Sequence, residues 1–327
     1  MLRRHKFPAL RFAASIIFRL AIFERLHIIP NGIIARYSYG EPPRLKPIFC
    51  SITDYCFMIS REDKNKLLLV TQPHHAELAA QLAAHWGNDL FSRPEPLEPM
   101  ILAASEHDNG WREWDNRPRI DTDKGVPYTF ATLSYVDHAK LYWRGILRSV
   151  EDDPYEGLIV CMHGVGLYKQ RYGTDPSMKR VPQDAKEKVA AQKIIREGEL
   201  LQKKLRKRLA ASSAYKRFAN DAHIWANYRL LQVFDRLALH LCWKGVVPYT
   251  VSPVPLSYAP LKDVTVTLKP TDDGLIELSP YPFAEDPLNA SVRARLLPLQ
   301  KYKSDEQFRE EYYGAEIVEL SFKFAKA

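Results

Sequence analysis

The stretch Val233–Leu241, VFDRLALHL, decides how the chain is read. Leu231 and Leu239 stand four residues to either side of Asp235 and Ala238 stands three after it, so helical periodicity sets a carboxylate within an apolar stripe. Burying an unpaired carboxylate is costly, and the group must take up a proton, find a partner or bind a metal. Arg236 is disfavoured as that partner, because adjacent residues on a helix point apart. A partner elsewhere in the fold and a bound cation both stay open at this point. Around it, Asn220–Trp243 reads as a strongly apolar helix.

Two earlier helices carry histidine on their apolar faces. Lys66–Val70 reads as a buried strand, and Pro73 follows in the first turn of a helix, where a missing N–H costs nothing. That helix buries Leu78 and Leu82, three and seven residues beyond His75, so the imidazole turns inward; Gly87 stops it. After the Pro-rich link Arg93–Pro99, a second helix runs from about Met100 to His107, with Met100, Ala103 and Ala104 on the face of His107 and Asn109-Gly110 closing it. An inward histidine is ordinarily a hydrogen-bonded core residue. Asp108, however, stands at the carbonyl end of its helix, where an anion is unfavourable. A cation held by His107 and Asp108 together compensates for that placement, as does exposure to water or contact with Arg112.

The rest of the chain predicts helices around His138–Val150, Tyr155–Tyr168 and, as one helix or a pair, Ala185–Phe218. From Leu261 onward, VTVTL, LIEL, VRARLLPL and EIVELSFKF alternate or are β-branched between turn residues. The expected fold is mainly α: a helical domain over residues 58–258 and a small C-terminal antiparallel sheet over residues 259–327, α+β overall. Residues 1–57 read as a dispensable extension or an upstream start-codon choice, since Met58 opens the domain; the charge-free run Phe12–Phe18 is too short to span a bilayer.

With 327 residues, 46% hydrophobic and 26% charged, the composition is that of a globular chain and excludes wholesale disorder and a polytopic membrane protein. The net charge of +8 is concentrated in the first twenty-five residues and in Lys179–Arg217; no nucleic-acid-binding motif accompanies it, and solvation is the plainer reading. Cys50, Cys56, Cys161 and Cys242 show no paired spacing, which fits a reducing compartment and hence the cytoplasm. No phosphate-cradling Gly-rich loop and no G-x-S-x-G elbow occurs.

The elements PHHAELAAQLAAHW, AASEHDNGW and FDRLAL place His75, His107-Asp108 and Asp235 in that order on three helices, 32 residues separating the two histidines and 127 the two aspartates. They resemble the three motifs of the HD superfamily of metal-dependent phosphohydrolases. The resemblance implies an HD-like helical domain in which these four residues bind a divalent ion, and hydrolysis of a nucleotide or other small phosphate ester, with water activated by the ion and oriented by Asp108. A nitrogen and oxygen donor set suits Mn, Fe, Zn, Ni or Co. The family often carries a Lys soon after the His-Asp pair, whereas Asn109-Gly110-Trp111 follows here. From Met58 to its end the chain also resembles an uncharacterised bacterial family of unknown function, through its QPxHA start, HDxGWxEWD box, MHxxGLY segment, DRL box and closing strands.

Further candidates follow. His163 shares an inward face with Ile159, Val160 and Leu167, and in some HD enzymes a histidine between the pair and the last Asp binds a second ion. His138, Glu113 and Asp115 are weighed for the same ion or for hydrogen bonds around it, against capping or solvation. Lys169 and Arg171 are candidate phosphate clamps, against a basic loop; Trp111, Trp114, Tyr168 and Tyr172 would sandwich a base, against simple packing. Two other functions compete: a catalytically silent module that senses a nucleotide in the same pocket, and a scaffold working through the basic surface Lys203–Arg208.

Overall fold

The computed structural model describes residues 58–128, 130, 133–169, 181–259 and 262–327, with the backbone of 36–37; the expectations for the N-terminal extension, Arg171 and Tyr172 lie outside the described residues. Helices of ten residues or more are α1 Gln72–His85, α2 Leu97–Glu106, α3 Tyr135–Asp152, α4 Pro154–Tyr168, α5 Ala185–Ala211, α6 Asp221–Trp243 and α7 Asp305–Gly314. The main strands are β1 Ile59–Asp63, β2 Lys66–Val70, β3 Tyr249–Pro255, β4 Asp263–Pro270, β5 Ile276–Ser279, β6 Leu288–Pro298 and β7 Glu316–Lys326.

Most helices start where a side chain satisfies the first free backbone N–H groups. Thr71 accepts from His74 N ahead of Pro73 in α1, Ser134 from Asp137 N in α3, and Asp184 from Glu187 N in α5. Asp153 caps α4 doubly, accepting from Tyr155 N at 2.7 Å and Glu156 N at 3.0 Å, with Pro154 in the first turn. Asn220 opens α6 in the same way. In α2 the cap position is Pro96, which offers no side-chain acceptor.

The strands form one sheet in the order β1-β2-β6-β7-β5-β4-β3, with the two-residue strand Arg36–Tyr37 pairing parallel to β7. All pairs in that order are antiparallel except β7 with β5, which is parallel. This overturns the expected mainly α chain closed by a small C-terminal antiparallel sheet. The sheet is mixed, is a principal layer of the fold, and draws β1 and β2 from Ile59–Val70, more than two hundred residues before β6. The physical reason lies in β2 and β6. Leu67–Val70 is buried on both faces, Leu68 and Val70 in the main core and Leu67 and Leu69 in a second cluster with Leu297, Phe308 and Tyr312. Such a strand needs neighbours, and the register Leu68↔Leu296 gives it β6. The segment Tyr249–Pro255, assigned to the helical part from sequence, is the far edge strand β3.

One apolar core joins the sheet to the helices, with α1 packed on β6 and α6 on β3 and β1. Trp86, at the end of α1, meets Phe91, Phe234 and Phe283 edge to face at centroid distances of 5.4, 5.2 and 5.8 Å, tying the α2 approach, α6 and the β5–β6 connection together. Cys161 and Cys242 are buried and reduced, as small core residues, and burial pushes both thiols up to about 12. Among the described residues no helix is long and apolar enough to cross a membrane.

Candidate metal centre

Four helical segments converge behind the sheet. α1 contributes His75 from the same buried face as Leu78, Ala79 and Leu82. The end of α2 contributes His107, its C-terminal cap, and then Asp108. α4 adds His163 and α6 adds Asp235, each at most 4% exposed. The three inward faces read from the sequence therefore do meet, and the fourth comes with them.

The hydrogen bonds of the two leading histidines determine what they can offer. Nδ1 of His75 lies 3.0 Å from the Gln72 carbonyl oxygen, and Nδ1 of His107 lies 2.8 Å from that of Ala104. A carbonyl oxygen only accepts, so both rings donate through Nδ1–H and direct Nε2 into the centre. His75 Nε2 is 2.9 Å from Asp235 Oδ1. His107 Nε2 is buried 3.5 Å from the same oxygen and 3.7 Å from Asp108 Oδ2, spacings that separate ligands of one ion better than they make hydrogen bonds. The His75 and His107 rings are edge to face at 4.9 Å, and the His107 and His163 rings at 5.0 Å. His163 Nε2 stands 3.9 Å from Asp108 Oδ1 and its Nδ1 3.9 Å from Asp235 Oδ2.

Two sets result. His75, His107 and Asp108 each present a ligand atom within 4.8 Å of the others, and so do His107, His163 and Asp235; these buried groups could hold a metal ion. The electrostatics agree. Burial disfavours charge on Asp235, yet the His107 charge and the hydrogen bond with His75 hold its carboxyl well below the usual carboxylate range. Burial likewise opposes charge on His107, but Asp108 and Asp235 outweigh it and push the imidazole up to about 9. His163, buried and next to the His107 charge, is held down at about 4 and is a neutral donor. The proton on His107 thus balances carboxylate charge, a balance that a divalent cation would also supply.

Around these groups lies a shell that sequence reading identified only in part. Tyr142 of α3 donates to Asp108 Oδ1 at 2.7 Å. Its inward position is plain from the helix pattern, but nothing local reveals a partner 34 residues away. Asp115 is buried and accepts from Gln72 N at 2.8 Å, and Gln72 is the residue whose carbonyl holds His75. Burial, with Asp108 nearby, pushes the Asp115 carboxyl up to about 8 against the pull of that N–H. His138 lies outside the ligand sets and packs on Tyr142 at 4.5 Å while hydrogen-bonding to the Tyr168 hydroxyl. Trp111 packs against His138 and Tyr142.

Other candidates are engaged elsewhere. Glu113 is paired with Arg144 and Arg148 on α3, and Lys169 with Glu199 on α5. One terminal nitrogen of Arg112 donates to both carboxylate oxygens of Glu106, at 2.8 and 2.7 Å, and Arg112 is so engaged away from Asp108. Arg236 donates to the Ser252 carbonyl and the Tyr249 hydroxyl, away from Asp235, as the helix geometry demands.

Residues 58–299 match the model of a family described as "Protein of unknown function (DUF3891)", and the chain belongs to that family. No curated protein and no solved structure matches it. Membership agrees with the likeness to an uncharacterised family read from the QPxHA, HDxGWxEWD and DRL boxes. The HD-superfamily likeness has no counterpart among these comparisons.

Proposed function

We propose that His75, His107, Asp108 and Asp235 hold a divalent ion, with His163 placed to complete a second ligand set, and that the protein is a metal-dependent hydrolase of phosphate esters. One observation carries the reading: two buried imidazoles from separate helices, each locked by a carbonyl on Nδ1, aim Nε2 at the Asp235 carboxylate of a third helix. A borderline ion such as Mn, Fe, Zn, Ni or Co fits these donors, and when bound it supplies an acidified water and an electrophile for a phosphoryl oxygen. Asp108 is the group to orient that water, since Tyr142 fixes one of its oxygens and leaves the other to the centre. The phosphate-ester class rests on the resemblance of the His, His-Asp and Asp motifs to those of the HD superfamily.

The test is metal analysis of the purified protein, followed by phosphate release from a panel of nucleotides and small phosphate monoesters and diesters, with and without Mn²⁺. Metal-dependent release that Asp108→Ala abolishes supports the reading. A second reading, a module that binds a nucleotide without turning it over, is favoured by the near-complete burial of the ligand sets. Metal present with no turnover, but with saturable nucleotide binding, selects it.

A further inference from the structure

The longest helix among the described residues presents an outer face that the metal centre does not use. α5 packs inward through Ala191, Ile194, Gly198, Leu205 and Leu209, and the opposite side of the same helix carries Lys186, Lys193, Arg196, Lys203, Lys204 and Lys207. At 100° per residue these six lie within about 60° of one line, and from Lys186 to Lys207 the line runs about 32 Å. The acids nearby are occupied. Glu187 accepts from Tyr135 N and Gln183 N, Glu199 pairs with Lys169, and Asp221 pairs with Arg206. Lys193 reaches Glu197 at 4.0 Å, while Lys186, Arg196, Lys203, Lys204 and Lys207 make no ion pair among the described residues.

Apolar side chains interrupt this row on its midline. Val189 is 64% exposed and Leu200 58%. At the C-terminal end, the Arg206–Asp221 pair holds the first turn of α6 beside α5, and Trp225, four residues on from Asp221, is 45% exposed. We propose that this ridge docks the protein on an anionic lipid surface, with the lysines over the headgroups and Val189, Leu200 and Trp225 entering the acyl boundary. Charge complementarity sets the sign of the partner. The exposed valine, leucine and tryptophan favour lipid over nucleic acid, because apolar side chains gain by leaving water at a bilayer interface and gain nothing from a phosphate backbone. The inference is independent of the metal-centre reading.

The experiment is vesicle flotation of the full-length chain with phosphatidylcholine alone and with about 30 mol% phosphatidylserine, at about 0.1 M and about 0.5 M salt. Attachment is expected only to the anionic vesicles and is expected to weaken at the higher salt. Each basic residue near such a surface strengthens binding about fivefold, so the triple variant Lys203→Glu, Lys204→Glu, Lys207→Glu loses about a hundredfold or more. Leu200→Ser loses up to about tenfold at unchanged net charge. Both variants sit on exposed positions and are expected to keep the melting temperature of the parent. Equal binding to neutral vesicles, no binding to anionic ones, or variants that bind like the parent would overturn the proposal. So would tighter binding to duplex nucleic acid that Leu200→Ser leaves unaltered.

Discussion

Asp235 Oδ1 lies 2.9 Å from Nε2 of His75, across 160 residues of chain. The contact joins the first helix of the described region to the last helix before the C-terminal strands, and it gives the metal proposal its most direct test. Asp235→Asn keeps the shape and removes the charge. The variant is expected to fold, by circular dichroism, and to bind Mn²⁺ or Zn²⁺ at least about tenfold more weakly than the parent. Parent-like metal stoichiometry by mass spectrometry in this variant would remove Asp235 from the ligand set. Asp235→Ala is the harsher change, because it strands His107 and His75 without their carboxylate and is expected to cost about 3–5 kcal/mol of stability.

Tyr142 hydrogen-bonds to the centre through Asp108 and packs on the His163 ring at 6.0 Å. Tyr142→Phe deletes the 2.7 Å hydrogen bond to Asp108 Oδ1 and little volume. Metal affinity, measured by competition with a chromogenic chelator, is expected to fall about 10–100-fold. An unchanged affinity would mean that the hydroxyl only fills space.

Gly110 is the point at which the turn after α2 touches α3. A Cβ built there would stand 2.0 Å from the Leu141 carbonyl oxygen and 3.3 Å from Gly145 N, so backbone meets backbone and no side chain can give way. This close approach is what brings Tyr142 over to Asp108. Gly110→Ala is expected to cost about 3 kcal/mol or more in urea unfolding, at the upper end for overpacking. A loss below about 1 kcal/mol would show that the two segments can separate without penalty.

Glu156 lies in the first turn of α4 at 0% exposure, and burial pushes its carboxyl from an ordinary 4.5 up to about 9, with the Ser149 hydroxyl pulling the other way and Glu106, Asp152 and Asp153 adding to the rise. Its folded pKa is the higher one, so its contribution to stability is full below about 4.5 and is lost as pH rises toward about 9. Over that window the folded state holds a proton that the unfolded chain releases, at about 1.4 kcal/mol per pH unit. Glu156→Gln removes the penalty. The variant and the parent are expected to differ least near pH 5, with the variant gaining about 3 kcal/mol relative to the parent by pH 7, read from denaturant unfolding at both values. A gap that does not widen with pH would place the ionised carboxylate in the folded protein.

The inward faces of the helices were legible and the sheet was not, for one physical reason. A helix is built from contacts three and four residues apart, so its buried face can be read from one segment; that is how His75, His107 and Asp235 could be seen to point inward. His163 was visible in the same way, from Ile159, Val160 and Leu167. A strand completes its hydrogen bonds on a neighbour that can lie anywhere in the chain, and Lys66–Val70 carries no mark of β6, nor Glu316–Lys326 of a place between β6 and β5. The terminal alternation therefore suggested local hairpins, where the protein makes one mixed sheet from both ends.

By itself the sequence determined which helical faces are buried, that a carboxylate and histidines lie on them, and that the His-Asp pair ends a helix in an unfavourable field. Only the tertiary structure decided which of these groups meet, that Arg112 serves Glu106 and leaves Asp108 to Tyr142, and that Gln72 links Asp115 to His75. Side-chain direction is set by neighbours one turn away, whereas partnership is set by how whole helices and strands pack, and that depends on every apolar contact in the core at once.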